Sequence, residues 1–108
     1  MRNKLLFALS LCRKAGALVT GFDPVKESVM TGKAQIVLCA QDAAERTLRH
    51  AQEFCEGLTE FYVMSLTKEE LDQITRKPTV VFAVTDCELA NLCRKAISEQ
   101  TAQKEERA

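Results

Sequence analysis

Near the start of the chain, apolar residues recur at helical spacing. Leu5, Leu6, Leu9 and Cys12 share one face, with Ala8 and Leu11 less strictly aligned. Gly16 follows as a stop, so the pattern predicts a helix over about residues 3–15. Ala17–Thr20 is a short strand candidate. In Gly21-Phe22-Asp23-Pro24, Asp23 is the expected cap of a second helix and Pro24 its first residue. Val25, Val29 and Ser28 face inward, and Gly32 ends that helix. Ile36–Ala40 is an unbroken apolar run rich in β-branched residues, the signature of a central strand. Asp42–Glu45 has the spacing of a capping box and predicts a third helix over about residues 43–56, with Ala44, Leu48, Ala51 and Cys55 inward.

Phe61–Met64 reads as the next strand. Thr67–Glu70 is a second capping-box spacing, opening a helix that carries Leu71 and Ile74 inward. Arg76–Thr79 is a loop and Val80–Val84 another buried strand. Thr85–Glu88 is a third capping-box spacing, followed by Leu89, Leu92, Cys93 and Ala96 on an inward face. Strands alternate with helices throughout. The expected class is therefore α/β: a three-layer α/β/α sandwich, with a mixed sheet of about four strands and five helices covering both its faces.

Length agrees with one such unit, since 108 residues suit a single core. We assign residues 1–97 to the domain and 98–108 to a polar tail that either extends the last helix or frays. Hydrophobic residues are 46% of the chain, enough for a real core. The formal charge is zero, with 15 basic and 15 acidic side chains, which excludes a histone-like polyanion binder. The balance hides a gradient: residues 1–49 carry eight basic and four acidic side chains, and residues 50–108 seven and eleven. Such asymmetry points to an anionic partner on the N-terminal half, or is ordinary solvated helix surface.

Five cysteines with no C-x-x-C give neither a disulfide framework nor zinc spacing, and imply a reducing, cytoplasmic setting. No segment approaches the ~18 apolar residues of a membrane span. The basic start followed by Leu5–Cys12 imitates a leader, but Arg13 and Lys14 interrupt it, so a helix is expected.

Enzyme chemistry finds no support. The four glycines form neither G-x-G-x-x-G nor a P-loop, because Phe22 and Asp23 follow Gly21 where Lys and Ser/Thr are needed. His50 reads as a helix-surface residue. No cofactor and no metal are expected. The informative feature is positional: Thr20–Lys26, Ala40–Ala43 and Arg76–Thr79 are junctions expected at one end of the sandwich. A helix N-terminus there, with Lys14, Lys26, Lys33, Arg76 and Lys77 nearby, makes a minimal phosphate-binding surface.

Ala15-Gly16-Ala17-Leu18-Val19-Thr20-Gly21, then Gly32-Lys33-Ala34, then an apolar strand ending Ala40-Gln41-Asp42-Ala43, resembles the ribosomal L-seven-Ae / L-thirty-e family of kink-turn RNA-binding proteins. The likeness is to its small bacterial YlxQ-like branch and covers about residues 3–97. It implies an α/β/α sandwich. It also implies a cytoplasmic, ribosome-associated RNA-binding protein, without catalysis, that recognises kink-turns or related internal loops. The family stretch G-x-N-E-x-x-K maps onto Gly21, Asp23, Pro24 and Glu27, so the glycine is kept and the three others are replaced. Gln41 and Asp42 match positions that help hold a flipped-out nucleotide. Pro78 and Thr79, with Val80, match the loop that packs on it. Phe22 either stacks on a base or staples helix two to the body. A competing expectation is a protein-interaction domain that kept the scaffold and lost this readout.

Overall fold

The computed structural model describes residues 4–64, 66–75 and 79–107, with side chains described to Ile97. Asn3, the expected first residue of the first helix, lies outside the described residues, as do Arg76, Lys77 and Pro78. The elements run α1 (Lys4–Lys14), β1 (Leu18–Thr20), α2 (Phe22–Met30), β2 (Ile36–Cys39), α3 (Glu45–Cys55), β3 (Glu60–Val63), α4 (Lys68–Thr75), β4 (Val81–Val84) and α5 (Cys87–Arg107). These are the expected five helices and four strands in the expected order. The backbone of residues 98–107 continues the last helix.

The sheet is mixed, with strand order β1-β4-β2-β3. Only β2 and β3 are parallel; β4 lies antiparallel between β1 and β2. All four residues of β2 and all four of β4 are buried, as their unbroken apolar runs require. Their side chains alternate between two cores. Ile36, Leu38, Phe82 and Val84 face α1, α4 and α5, joining Leu5, Leu9, Leu71 and Cys93. Val37, Cys39, Val81 and Ala83 face α2 and α3, joining Val25, Val29, Ala51 and Phe54. Helices on both faces of one sheet make the three-layer sandwich.

Helix ends depart from the sequence reading in instructive ways. Thr67 and Glu70 do form a reciprocal box: the Thr67 amide donates to Glu70 Oε1 at 2.9 Å, and the Glu70 amide to Thr67 Oγ1 at 3.2 Å. The expected box at Asp42 does not form. The cap of α3 is Ala44, with no side-chain bond, and Ala44 is exposed rather than inward. Asp42 Oδ1 instead accepts from the Lys68 amide at 2.9 Å, capping α4. At α5 the cap is Asp86, whose Oδ1 accepts from the amides of Glu88 and Leu89 at 2.9 and 3.1 Å. Thr85 is drawn to the sheet, where its amide donates to Ala17 O at 2.9 Å. Leu92, expected inside, is exposed, while Ala90 and Ile97 are buried. Arg94 pins α5 across the sheet: its guanidinium bonds Glu60 at the start of β3, Asn91, and the Gln35 carbonyl.

Candidate nucleic-acid interface

One edge of the sheet gathers the carboxyl ends of β1, β2 and β3 and the amino end of β4. Backbone bonds fix its loops to one another. Gly21 donates to Val81 O at 3.0 Å, Ala40 to Val80 O at 2.9 Å, and Gln41 to Leu66 O at 2.9 Å. The helix α2 starts here, and so does α3, because both follow strands that end on this edge.

Gly21 is the cap of α2, in place of the expected Asp23. Its φ of +98° is a conformation L side chains rarely adopt, which is why glycine stands here. The turn puts the chain directly into helix at Phe22, so Asp23 and Pro24 occupy its second and third positions. No side chain caps this end. Pro24 has no N–H, so the amides of Phe22 and Asp23 are the first-turn donors left uncapped by side chains. Asp23 and Lys26 are exposed. The uncapped start of α3 adds Glu45 and Arg46, both exposed.

The structure therefore brings together Gly21, Phe22, Asp23, Gln41, Asp42 and Thr79, with Lys26 one helical turn back. Gln41 is exposed and Thr79 half-buried. Asp42 is exposed but engaged at the α4 terminus, so it also ties two of the loops together. Lys14 and Lys33 are not part of this edge. Lys14 closes α1 beside the turn into Ala17, whose carbonyl bonds Thr85 at the far end of β4. Lys33 precedes Gln35, whose amide bonds Val84 O at 2.7 Å, again at the far end. Arg46 and Lys68 are cations of this edge that the sequence reading passed over. The available signal was that both open helices directly after strand ends.

Phe22 is half-buried and packs as a staple between helices. Its ring meets Phe54 edge-on at 5.4 Å and lies 6.4 Å from His50. The ring thus forms one wall of a groove of about 440 Å³ between α2 and α3, with Lys26, Met30 and His50 along it.

Cys12, Cys39, Cys55 and Cys93 are core residues. Burial pushes the Cys39 thiol up to about 12 and the Cys55 thiol up to about 11 from an ordinary value of 9.0. Cys12 and Cys93 face each other with Sγ atoms 4.0 Å apart, and that contact and burial raise Cys93. Cys87 is exposed. Iodoacetamide on the native chain at pH 8 is therefore expected to label Cys87 alone, the other four reacting only on unfolding. Peptide mapping before and after denaturation checks this. The raised thiols also set a sign: the unfolded chain loses these protons first, so their contribution to stability is complete below about pH 9 and is lost as pH rises toward 12.

No family model matches the sequence. A curated relative, the RNA-binding protein YlxQ of Enterococcus faecium, is 27% identical over 96 residues, spanning 89% of this chain and 93% of that protein. Among solved structures, a Bacillus halodurans protein of unknown function superposes with a TM-score of 0.83 at 24% identity, over 90% of this chain and 99% of that one. The Giardia lamblia 15.5 kD RNA binding protein superposes with a TM-score of 0.73 at 22% identity, over 92% and 86%. The structural likenesses establish the fold. The near full-length sequence match and the ordered motifs from Ala15 to Ala43 make the chain similar to the YlxQ-like branch of the L-seven-Ae / L-thirty-e family.

Proposed function

We propose that this chain is a non-catalytic, cytoplasmic RNA-binding protein that reads a kink-turn or related internal loop through the edge built by the start of α2. The observation that supports this most is the convergence of Gly21–Asp23, Gln41-Asp42 and Thr79-Val80 on one edge, beside uncapped first-turn amides. Those amides and the helix dipole favour phosphate, and Lys26, Arg46 and Lys68 add positive charge at this edge. Gln41 presents an amide that both donates and accepts toward a base edge. The relatives named for RNA binding support the RNA-binding part of this reading, and ribosome association is proposed on the resemblance alone.

The test is a titration with a kink-turn RNA and a straight duplex of equal length at two salt concentrations. The kink-turn is expected to bind more tightly, with affinity falling as salt rises. Reversing Lys26 and Arg46 to Glu should weaken binding about tenfold or more and flatten the salt dependence. Equal affinity for duplex and kink-turn would exclude internal-loop recognition. Absence of binding at low salt would move the assignment to a protein-interaction role. One specific observation favours that second reading: Asp23 and Glu27 put exposed carboxylates on the helix that would meet phosphate.

A further inference from the structure

The layer of α1 and α5 holds two thiols that the RNA reading does not use. Cys12 lies in the last turn of α1, and Cys93 lies two turns into α5. Both are fully buried, in one core with Ala8, Ala90 and Ala96. Those alanines neighbour the two cysteines along their own helices, and small side chains let helix axes approach. The two Sγ atoms stand 4.0 Å apart although 81 positions separate the residues in sequence. The contact is polarised. The Cys93 thiol donates to Cys12, which holds the Cys12 thiol below its ordinary value of 9.0 against the opposition of burial and Asp86. The same bond and burial hold Cys93 above that value. Cys12 is thus the readier thiolate and Cys93 its proton donor.

We propose that Cys12 and Cys93 are a peroxide-oxidised dithiol that closes to a disulfide and clasps α1 to α5. The Cys12 thiolate attacks one oxygen of hydrogen peroxide. The O–O bond breaks, the departing hydroxide takes the Cys12 proton and leaves as water, and Cys12 becomes a sulfenic acid. Cys93 Sγ then attacks the Cys12 sulfur. The S–O bond breaks, and the hydroxide leaves with the Cys93 proton as a second water. Two thiols lose two electrons and one peroxide gains them. Placement selects this outcome. The sulfurs close from 4.0 Å to about 2.05 Å, a movement the two side chains share. The resolving thiol already stands beside the sulfenic acid, so bridging outruns further oxidation. Hydrogen peroxide is little larger than water, so local loosening of the helix layer admits it where iodoacetamide stays out. Cys39 and Cys55, in the opposite core, are both held up as thiols by burial and offer less thiolate. A bridge between positions 12 and 93 closes most of the chain into one loop, which restricts the unfolded state strongly.

The experiment treats the full Cys87→Ser chain with hydrogen peroxide at about pH 8. Removing the exposed thiol suppresses disulfides between chains. The quenched protein is alkylated in denaturant and mapped by peptide mass spectrometry without reduction. The Cys12–Cys93 bridge should exceed every other pairing by about tenfold or more, whereas the same treatment in urea should scatter the pairings. The melting midpoint of the oxidised chain should rise by about 5 °C or more. It should return on adding dithiothreitol, which leaves any sulfoxide at the exposed Met30 in place and so assigns the rise to the bridge. Recovery of Cys12 and Cys93 as free, alkylated thiols overturns the proposal. So does a scatter of pairings equal to that of the unfolded chain, or Cys12 found as sulfinic acid beside a free Cys93. A bridge that leaves the midpoint unchanged or lowers it overturns the clasp.

Discussion

Phe82→Ala is expected to destabilise the folded chain by about 3–5 kcal/mol, the largest effect of any single truncation considered. Phe82 is fully buried and heads the largest side chains in that state. It sits on β4, a strand paired on both sides, opposite Thr20 on β1 and Leu38 on β2. Its ring lies in the core shared with α1, α4 and α5, so the cavity would open where the sheet has no edge to relax. A domain of this size has only about 5–15 kcal/mol to lose. Urea unfolding should show a much lower midpoint at unchanged slope. Phe7→Ala is the control, because the same residue type at 56% exposure should cost within about 0.5 kcal/mol. Equal costs for the two would contradict the burial assigned to β4.

The contrast between these two phenylalanines shows what sequence pattern can and cannot reach. The buried strands were legible because two-sided burial forces an unbroken apolar run, and Ile36–Cys39 and Val81–Val84 are such runs. The order of elements followed from alternating periods. Caps were less legible, because a capping box is a local spacing whereas a capping bond goes to whichever amide the tertiary fold delivers. Thr67 and Glu70 bond locally as their spacing suggests. Asp42 has the same spacing and bonds Lys68, 26 residues on, because the β2–α3 loop lies against the start of α4. The candidate site was half legible for a related reason. Which loops share an edge depends on strand direction, and a mixed sheet does not announce direction in its sequence. With β4 antiparallel to its neighbours, the loop before it joins the edge of Gly21 and Gln41, while Lys14 and Lys33 fall at the other end. Exposure of Leu92 was beyond reach, since helical spacing identifies a face and not the width of what covers it.

Asp23→Asn is expected to strengthen RNA binding about tenfold if the edge at the start of α2 is the interface. Asp23 is the second residue of that helix and is exposed, where the proposed interface would have first-turn amides draw a phosphate or a base edge close. A carboxylate there only accepts hydrogen bonds and repels phosphate, whereas an amide of the same shape both donates and accepts. The two contributions separate by salt. Repulsion is screened as ionic strength rises, but a hydrogen bond to a base edge is not. Asp23→Ala should therefore gain affinity at low salt only, and Asp23→Asn should keep part of its gain at high salt. Stability moves the other way. A negative charge in the first turn of a helix is worth about 0.3–1 kcal/mol through the dipole, so both variants should melt a few degrees lower. Tighter binding from a slightly less stable protein is an outcome that general stabilisation cannot imitate. If Asp23→Asn melts lower as expected but binds no RNA more tightly at either salt concentration, the start of α2 is not the RNA-reading surface.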